Sequence, residues 1–434
     1  MSVVSAETAR PGPASGVFSN RNFVLLFSGK VVSQLGDQVY AFALSWYILD
    51  LTRSSLQMAL FLVIDTLVVA AISPLGGLLA DRLNRKGMLV WTDVIRGLVV
   101  LGAAWLLSQH LLQIWMLYVS AVMLGFCGAV FAPAAGAIVP NIVEERQIAD
   151  ATSANQFSTN FCTMVGMLVS GLLYSWIGIL AIFVLNAASF FFSGILEAAV
   201  EVPRMKPADS GGIVPARRRW QKVVAELGEG YQYVRGNAVI SDLLVMNALF
   251  TIVALPIPVV YLPYFFNVIL KASPFQLALP QAAIWVGMMA GSVLVSLCWR
   301  RCRLKNLILW GLLLLGLCTL AGVPWFFPQI RDHFTNGQIS LVWTATSVIC
   351  GLVVNFFTIP MYVIFQKHIA DGYRGRFWGL ENSLRTFAMS GGYLLGGMLA
   401  QRVWLGALFL GTALALFAVD AWAINQKAIK ALHD

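Results

Sequence analysis

The sequence predicts an all-α polytopic membrane protein: twelve transmembrane helices in two pseudo-symmetric six-helix bundles. Three observations carry this. The 434 residues are 59% hydrophobic and only 11% charged, whereas soluble chains run at about 45–50% apolar and about 25% charged. The apolar residues fall in runs of roughly 20 or more, the length of a helix crossing hydrocarbon rather than the ~10 of a barrel strand. Six such runs precede one long polar joint and six follow it. Only helices and closed barrels satisfy their backbone groups inside a bilayer, so the runs read as helices.

The runs lie near 23–49, 56–79, 88–109, 112–135, 153–175, 178–200, 238–267, 276–299, 306–327, 340–366, 377–401 and 403–425. They divide the chain into a cytosolic tail (1–22), an N-terminal bundle (23–200), a basic cytosolic linker (201–237), a C-terminal bundle (238–425) and a second tail (426–434). The first tail is polar, contains Pro11 and Pro13, and lacks the apolar segment of a signal peptide. The linker opens on Pro, Gly and Ser, then reads from Ala216 to Arg235 as a basic amphipathic helix suited to anionic headgroups.

The net charge of +9 does not point to nucleic acid, because the basic residues sit in short joints between apolar runs. With the N-terminus in the cytosol, 22 of the 29 Lys and Arg fall on the cytosolic side. Four fall outside (Arg53, Lys271, Arg331, Arg402), and Lys30, Arg96 and Arg385 lie within or near spans. This bias predicts a multi-pass protein of the cell (inner or plasma) membrane with both termini cytoplasmic. The six cysteines show neither a CxxC pair nor zinc spacing and read as small hydrophobes, so no metal and no cofactor is expected.

The halves echo each other. Gly166 and Gly171 in one correspond to Gly392 and Gly397 in the other, an offset of 226 in each case. Parallel six-helix repeats are a transporter architecture.

The joint between the second and third spans reads GGLLADRLNRKGML (76–89). Gly77 is expected to let a neighbouring helix approach closely. Asp81 at a helix end suits the positive N-terminus of another helix. Arg82, Arg85 and Lys86 hold the joint in the cytosol. The order G-x-x-x-D-R-x-x-R-K resembles the loop signature of the major facilitator superfamily, with Asn84 where that family usually has glycine. Asn tolerates a left-handed backbone better than most residues. The resemblance implies that Asp81 faces the start of the eleventh span, Phe377 to Leu380, as a latch on the outward-facing state. The stretches SQLGDQ (33–38), TDVIRG (92–97), FAPAAGAIVP (131–140), SANQ (153–156) and GYRGRFWGL (372–380) resemble the drug:proton antiporter branch that includes macrolide-efflux proteins. Two features depart from it: the fourth span has no arginine, and Met167 follows Gly166 where that branch carries proline.

An ionisable residue at the bilayer centre costs at least about 2.5–3.5 kcal/mol, so each needs a reason. Asp93, Glu197, Asp242, Glu381 and Asp420 lie near cytosolic span ends, within reach of headgroups or loop cations. Glu381 and Arg385 are four apart on one helix face, and Asp93 can meet Arg96 in the same way. These groups read as structural or gating. Asp37 and Asp65 lie roughly 21 Å from the cytosolic ends of their spans, at matching depth on adjacent helices. Lys30, Gln34, Asp37 and Ala41 form a polar stripe that belongs against a water-filled cavity. Desolvation disfavours a charged carboxylate, so a cationic substrate and a proton compete for such a group. No histidine takes this role, since His110, His333, His368 and His433 fall at joints or in the tail.

Tyr40, Asn155, Asn160, Asn186, Asn247, Gln281 and Asn355 are further candidates to face the cavity, with Phe126, Phe250, Trp285 and Phe356 in its wall. A wide cavity with few charges and many aromatics suits bulky amphipathic molecules. The expectation is a monomeric secondary exporter of amphipathic or cationic drugs by proton antiport. An exporter of a native metabolite, such as a siderophore or lipid-like molecule, is the alternative. The expected partners are a small-molecule substrate, protons and the lipid bilayer. No G-x-S-x-G, zinc-protease helix or phosphate-binding loop is present to suggest an enzyme or an ATP-driven pump.

Overall fold

The computed structural model describes residues 16–201, 225, 228–298 and 303–426, without the side chains of Leu78, Asp81 and Arg82. The outer parts of both tails, most of the linker and part of the RRCRLK joint lie outside the described residues. The Asp81 latch, the role of Arg82 and the linker helix before residue 228 therefore lie outside them as well.

The polar residues between the apolar runs start and stop the helices. Asn20 caps α1 (Arg21–Thr52) by accepting from Asn22 N at 3.0 Å and Phe23 N at 3.2 Å. α1 ends at Arg53 in a left-handed conformation (φ 52°). Ser54 then caps α2 (Ser55–Arg82). Such caps satisfy the orphan N–H groups of a first turn. α3 (Arg85–Ser108) and α4 (Ile114–Ile142) complete the first four passes. The helical stretch Ile148–Ala198 breaks at Gly178, whose φ of 74° only glycine adopts readily. Its arms are α5 (148–177) and α6 (179–198).

The second bundle comprises α7 (Ala238–Ile269), α8 (Pro274–Cys298), α9 (Leu304–Gly322), α10 (Asn336–His368), α11 (Arg374–Arg402) and α12 (Leu405–Asn425). Among the described residues, α1 and α11 are the two passes whose mean hydropathy is too low to qualify them as membrane spans on composition alone. α7 widens into π-helical turns at Ile257–Tyr261 and Phe265–Ile269. Pro258 and Pro263 lack the N–H that a regular helix uses, which favours such local rearrangement.

The repeated glycines make equivalent contacts. A Cβ on Gly171 of α5 would lie 2.4 Å from Ala278 Cβ of α8, and one on Gly397 of α11 would lie 2.5 Å from Ala59 Cβ of α2. Gly166 abuts Gln38 of α1, and Gly392 abuts Ile252 of α7. The pairs α5–α8 and α2–α11 are thus the close contacts between halves.

The two ends of the molecule pack differently. The near end carries the helix ends closest to both chain termini, and the far end is opposite. At the far end one continuous core runs through both halves, joining Leu44, Ile48 and Phe61 to Val260, Phe265 and Phe409. At the near end there are two cores. One holds Phe23, Leu89 and Ile138 of the first half, the other Ile240, Phe365 and Phe377 of the second. A polar cluster adds to the far-end seal. Asn267 Nδ2 of α7 donates to Asp50 Oδ1 at 2.8 Å, Arg53 Nη1 donates to Asn267 Oδ1 at 3.1 Å, and Tyr174 OH of α5 donates to Asp50 Oδ2 at 3.2 Å.

Three expectations are corrected. A Cβ on Gly77 would meet nothing within 4 Å, whereas one on Gly76 would lie 2.1 Å from Ala129 O of α4. The close approach therefore belongs to Gly76, because consecutive helix residues point about 100° apart. Asn84 is not left-handed: it is extended (φ −63°, ψ 107°) and caps α3, accepting from Lys86 N at 3.1 Å. The described end of the linker does not lie free for headgroups. Tyr233 stacks on Tyr373 at 4.4 Å and Glu229 pairs with Arg376 at 3.0 Å, docking it on the start of α11.

Candidate functional site

Two cavities of similar size lie among the described residues. The central one, about 430 Å³, is bounded by both halves: α1, α2 and α5 on one side, α7, α8, α9 and α10 on the other. Its wall is apolar, with Phe42, Trp46, Met167 and Trp285 among its residues, and it is dotted with uncharged polar groups such as Gln38, Gln281 and Thr319. Gln281 Nε2 donates to Pro258 O at 3.0 Å, so a carbonyl in the π-helical turn orients this amide. Among the described residues, no charged side chain lines this cavity.

The second cavity, about 450 Å³, lies nearer the termini between α1, α4 and α5 of the first half. It gathers five residues of the sequence-predicted set: Lys30, Gln34, Asp37, Arg96 and Asn155. Lys30 Nζ donates to Asn155 Oδ1 at 3.1 Å and Gln34 Nε2 to Thr159 Oγ1 at 3.2 Å, so α5 supplies partners for the polar stripe of α1. Asp37 lines this cavity while its neighbour Gln38 lines the central one. One turn of α1 thus faces both.

Arg96 of α3 reaches the same cavity and acts electrostatically on both Asp37 and Asp65. Asn186 lies beside Asp37 and is 1% exposed. Asp65 is exposed and lines neither cavity. Asp93 and Glu197 do not reach headgroups or loop cations outside the bundle. They are 0% and 1% exposed, and Asp93 Oδ1 lies 3.6 Å from Arg96 Nη1.

Several wall candidates sit elsewhere. Tyr40 is 4% exposed and packs on Phe183 at 5.0 Å, inside the far-end core. Phe250 packs on Phe357 at 4.6 Å. Phe126 and Asn160 are exposed, and Phe356 is half-buried; none of the three lines either cavity. Asn355 Nδ2 donates to Met288 O, tying α10 to α8. Apolar spacing alone does not tell a cavity wall from a packed face, since both recur with the helix period.

The second half holds a closed polar group. Glu381 Oε1 accepts from Asn247 Nδ2 at 3.1 Å and Tyr362 OH at 3.3 Å, and lies 3.7 Å from Arg385 Nε. Asn247 therefore serves Glu381 rather than a cavity. In the 76–89 joint, Arg85 Nε donates to Ala80 O at 3.0 Å and its Nη1 to Ala137 O at 2.9 Å, fastening the joint to α4. Lys86 is half-buried at the start of α3.

Sequence reasoning missed Asp50, Asn267 and Tyr174 at the far end, and Gln38, Trp46 and Pro258 in the central wall. Gln38 stood beside Asp37 in the quoted SQLGDQ stretch, and that adjacency was the available signal. The far-end cluster joins residues 217 apart, which no local pattern marks.

The sequence profile described as Major Facilitator Superfamily matches residues 26–393. Macrolide efflux protein A of Streptococcus pyogenes is 25% identical over 414 residues, covering 93% of this chain and 96% of that protein. Multidrug efflux pump Tap of Mycobacterium tuberculosis is 24% identical over 422 residues, covering 95% and 96%. Among solved structures, the nucleoside transporter NupG superposes with a TM-score of 0.71 at 12% identity, over 95% of this chain and all of that one (100%). A bacterial homologue of the iron transporter ferroportin, in its inward-facing state, gives 0.70 at 16% identity over 94% and 98%. Twelve helical passes, a cavity walled by both halves and a profile match over most of the length lead to one conclusion: the chain belongs to the major facilitator superfamily.

Proposed function

We propose that this protein is a secondary exporter of amphipathic, cationic drugs, driven by proton antiport and working by alternating access. The observation that carries the reading is the central cavity. Its volume suits a drug-sized ligand, its wall is apolar and aromatic, and a few amides and hydroxyls orient the cargo. Both halves contribute to the wall, so rocking one against the other exposes the cavity to each side in turn. The names of the relatives, macrolide efflux and multidrug efflux, support the same substrate class.

With both termini in the cytosol of a cell-membrane protein, the near end faces the cytosol, and a single chain supplies the whole transport path. The shared far-end core and the separate near-end cores support a conformation open toward the cytosol. Asp37 exchanges the proton in the near-end cavity, with Lys30, Gln34 and Asn155 setting its surroundings. Gln38, one residue on, faces the cargo. A change of charge at Asp37 is thereby felt by the helix that contacts the drug, and no single carboxylate has to hold both.

The test is uptake of ethidium into inverted membrane vesicles under an imposed inside-acid gradient. Gradient-dependent uptake by the native protein that is lost in Asp37→Asn supports the reading. Equal uptake in both overturns Asp37 as the coupling group. No uptake by the folded native protein overturns drug export.

A further inference from the structure

Behind Asp37 lies a group with no part in the transport cycle so far. Arg96 crosses from α3 toward α4 in a notch left by Gly128, where a Cβ would lie 2.9 Å from Arg96 Nη2. The rings of Phe131 and Phe190 flank the guanidinium at 5.1 Å and 5.4 Å. On one side Arg96 lines the cavity with Asp37. On the other it pairs with Asp93, at 3.6 Å. Glu197 of α6 interacts electrostatically with both Asp93 and Arg96. Ser193 Oγ donates to Glu197 Oε1 at 3.4 Å, while Glu197 Oε2 is buried and has no hydrogen-bond partner among the described residues. Both Asp93 carboxylate oxygens also lack hydrogen bonds there.

The titratable groups around Arg96 come from every helix packed there: Asp37 on α1, Asp65 on α2, Asp93 on α3, the neutral thiol of Cys127 on α4 and Glu197 on α6. Lys30 is the second cation on the wall of the cavity that Asp37 lines, and its Nζ donates to Asn155. A single guanidinium thus lies among four carboxylates, two of them fully buried, one on the cavity wall and one exposed, and it pairs directly with Asp93. A buried charge needs a partner, and a carboxylate without one is neutralised by a proton.

We propose that Asp93, Arg96 and Glu197 form a proton-holding site in the first half, with Asp37 as its exchange point on the cavity. Glu197 holds one proton, drawn from water, while Arg96 pairs with Asp93. When Asp37 gives its proton to the cavity, its new charge draws Arg96 away from Asp93, and Asp93 takes up a proton from water of the cavity that Arg96 lines. Arg96 acts as a positioning residue that sets which carboxylate is charged. The role in antiport rests on the export reading above, whereas the protonation itself does not.

Infrared difference spectroscopy of the full chain in lipid, titrated across neutral pH, tests this through the carbonyl stretch of protonated carboxyl groups. The native protein is expected to show this band at neutral pH, and Glu197→Gln to lose the Glu197 share of it while the Asp37 share remains. Arg96→Met is expected to strengthen the band, because Asp93 loses its counter-ion; poor folding would not produce that gain. A band unchanged in Glu197→Gln, or no gain in Arg96→Met, overturns the site. In the inverted-vesicle assay, Glu197→Gln is expected to lose gradient-driven ethidium uptake yet still exchange ethidium downhill. If the native protein takes up no ethidium, the export reading falls, while an infrared loss in Glu197→Gln still upholds the site.

Discussion

The two halves share one fold but divide the polar work unequally. In the second half Glu381 is met by Arg385, Asn247 and Tyr362, so its charge is balanced in place. In the first half Asp93 and Glu197 share one arginine and leave carboxylate oxygens without hydrogen bonds among the described residues. The near-end cavity with its charges is walled by the first half alone, whereas the second half gives the central cavity prolines, aliphatic residues, Trp285 and the uncharged polar groups Gln281, Thr319 and Ser347. A satisfied buried network rigidifies, and an unsatisfied one is costly unless it changes state. Pseudo-symmetry of backbone therefore does not imply symmetry of role. The first half gathers its buried carboxylates around one arginine on a cavity wall, while in the second half Asp420, with one oxygen lacking a hydrogen bond among the described residues, stands apart from the central wall.

The sharpest way to break this comparison is to neutralise a carboxylate in each half. Glu197→Gln is expected to abolish gradient-driven ethidium uptake, while Glu381→Gln retains most of it, measured side by side in inverted vesicles. Equal losses would sink the division of labour.

A smaller effect is expected at the far-end seal. Asn267→Ala removes one partner each from Asp50 and Arg53, which keep each other, and should favour the far-end-open state by about 1–3 kcal/mol, the worth of two part-buried hydrogen bonds to charged groups. Accessibility of a reporter cysteine introduced near Asn267 reads this; no gain in labelling would remove the cluster from the gate.

An effect of similar size is expected from the contrast of adjacent glycines on α2. Gly76→Ala places a methyl against Ala129 O and should cost about 1–3 kcal/mol. Gly77→Ala should be neutral or gain up to about 1 kcal/mol of helix propensity. Thermal unfolding in detergent ranks the two, and the reverse order would restore Gly77 as the contact.

The smallest effect concerns Asn84. Asn84→Ala should cost about 0.5–2 kcal/mol as a lost cap, and Asn84→Gly only a few tenths. A clear stabilisation by glycine would instead indicate a left-handed turn.

Much of the fold was legible because bilayer length and hydropathy act locally. Run length separated helix from strand, and the break at Gly178 fell where the sixth run began. The four-residue spacing of Glu381 and Arg385 matched their pairing, and the stripe of Lys30, Gln34 and Asp37 was visible from helical period alone. The site was legible only in part. Asp93 and Glu197 sit close to the near end in sequence, yet side packing by α4 and α6 closes them off, and depth along a helix says nothing about which face is covered.

By itself, the sequence determined the number of passes, the polar stripe of α1 and the equivalence of the glycines 226 apart. These follow from composition and period within single segments. Only the tertiary structure decided that Gly76 and not Gly77 meets α4, that one arginine serves carboxylates from neighbouring helices, and that the far end is sealed while the near end is divided. Each depends on how helices distant in sequence rotate and tilt against one another. Side-chain contact between helices sets that rotation, and no single helix encodes it alone.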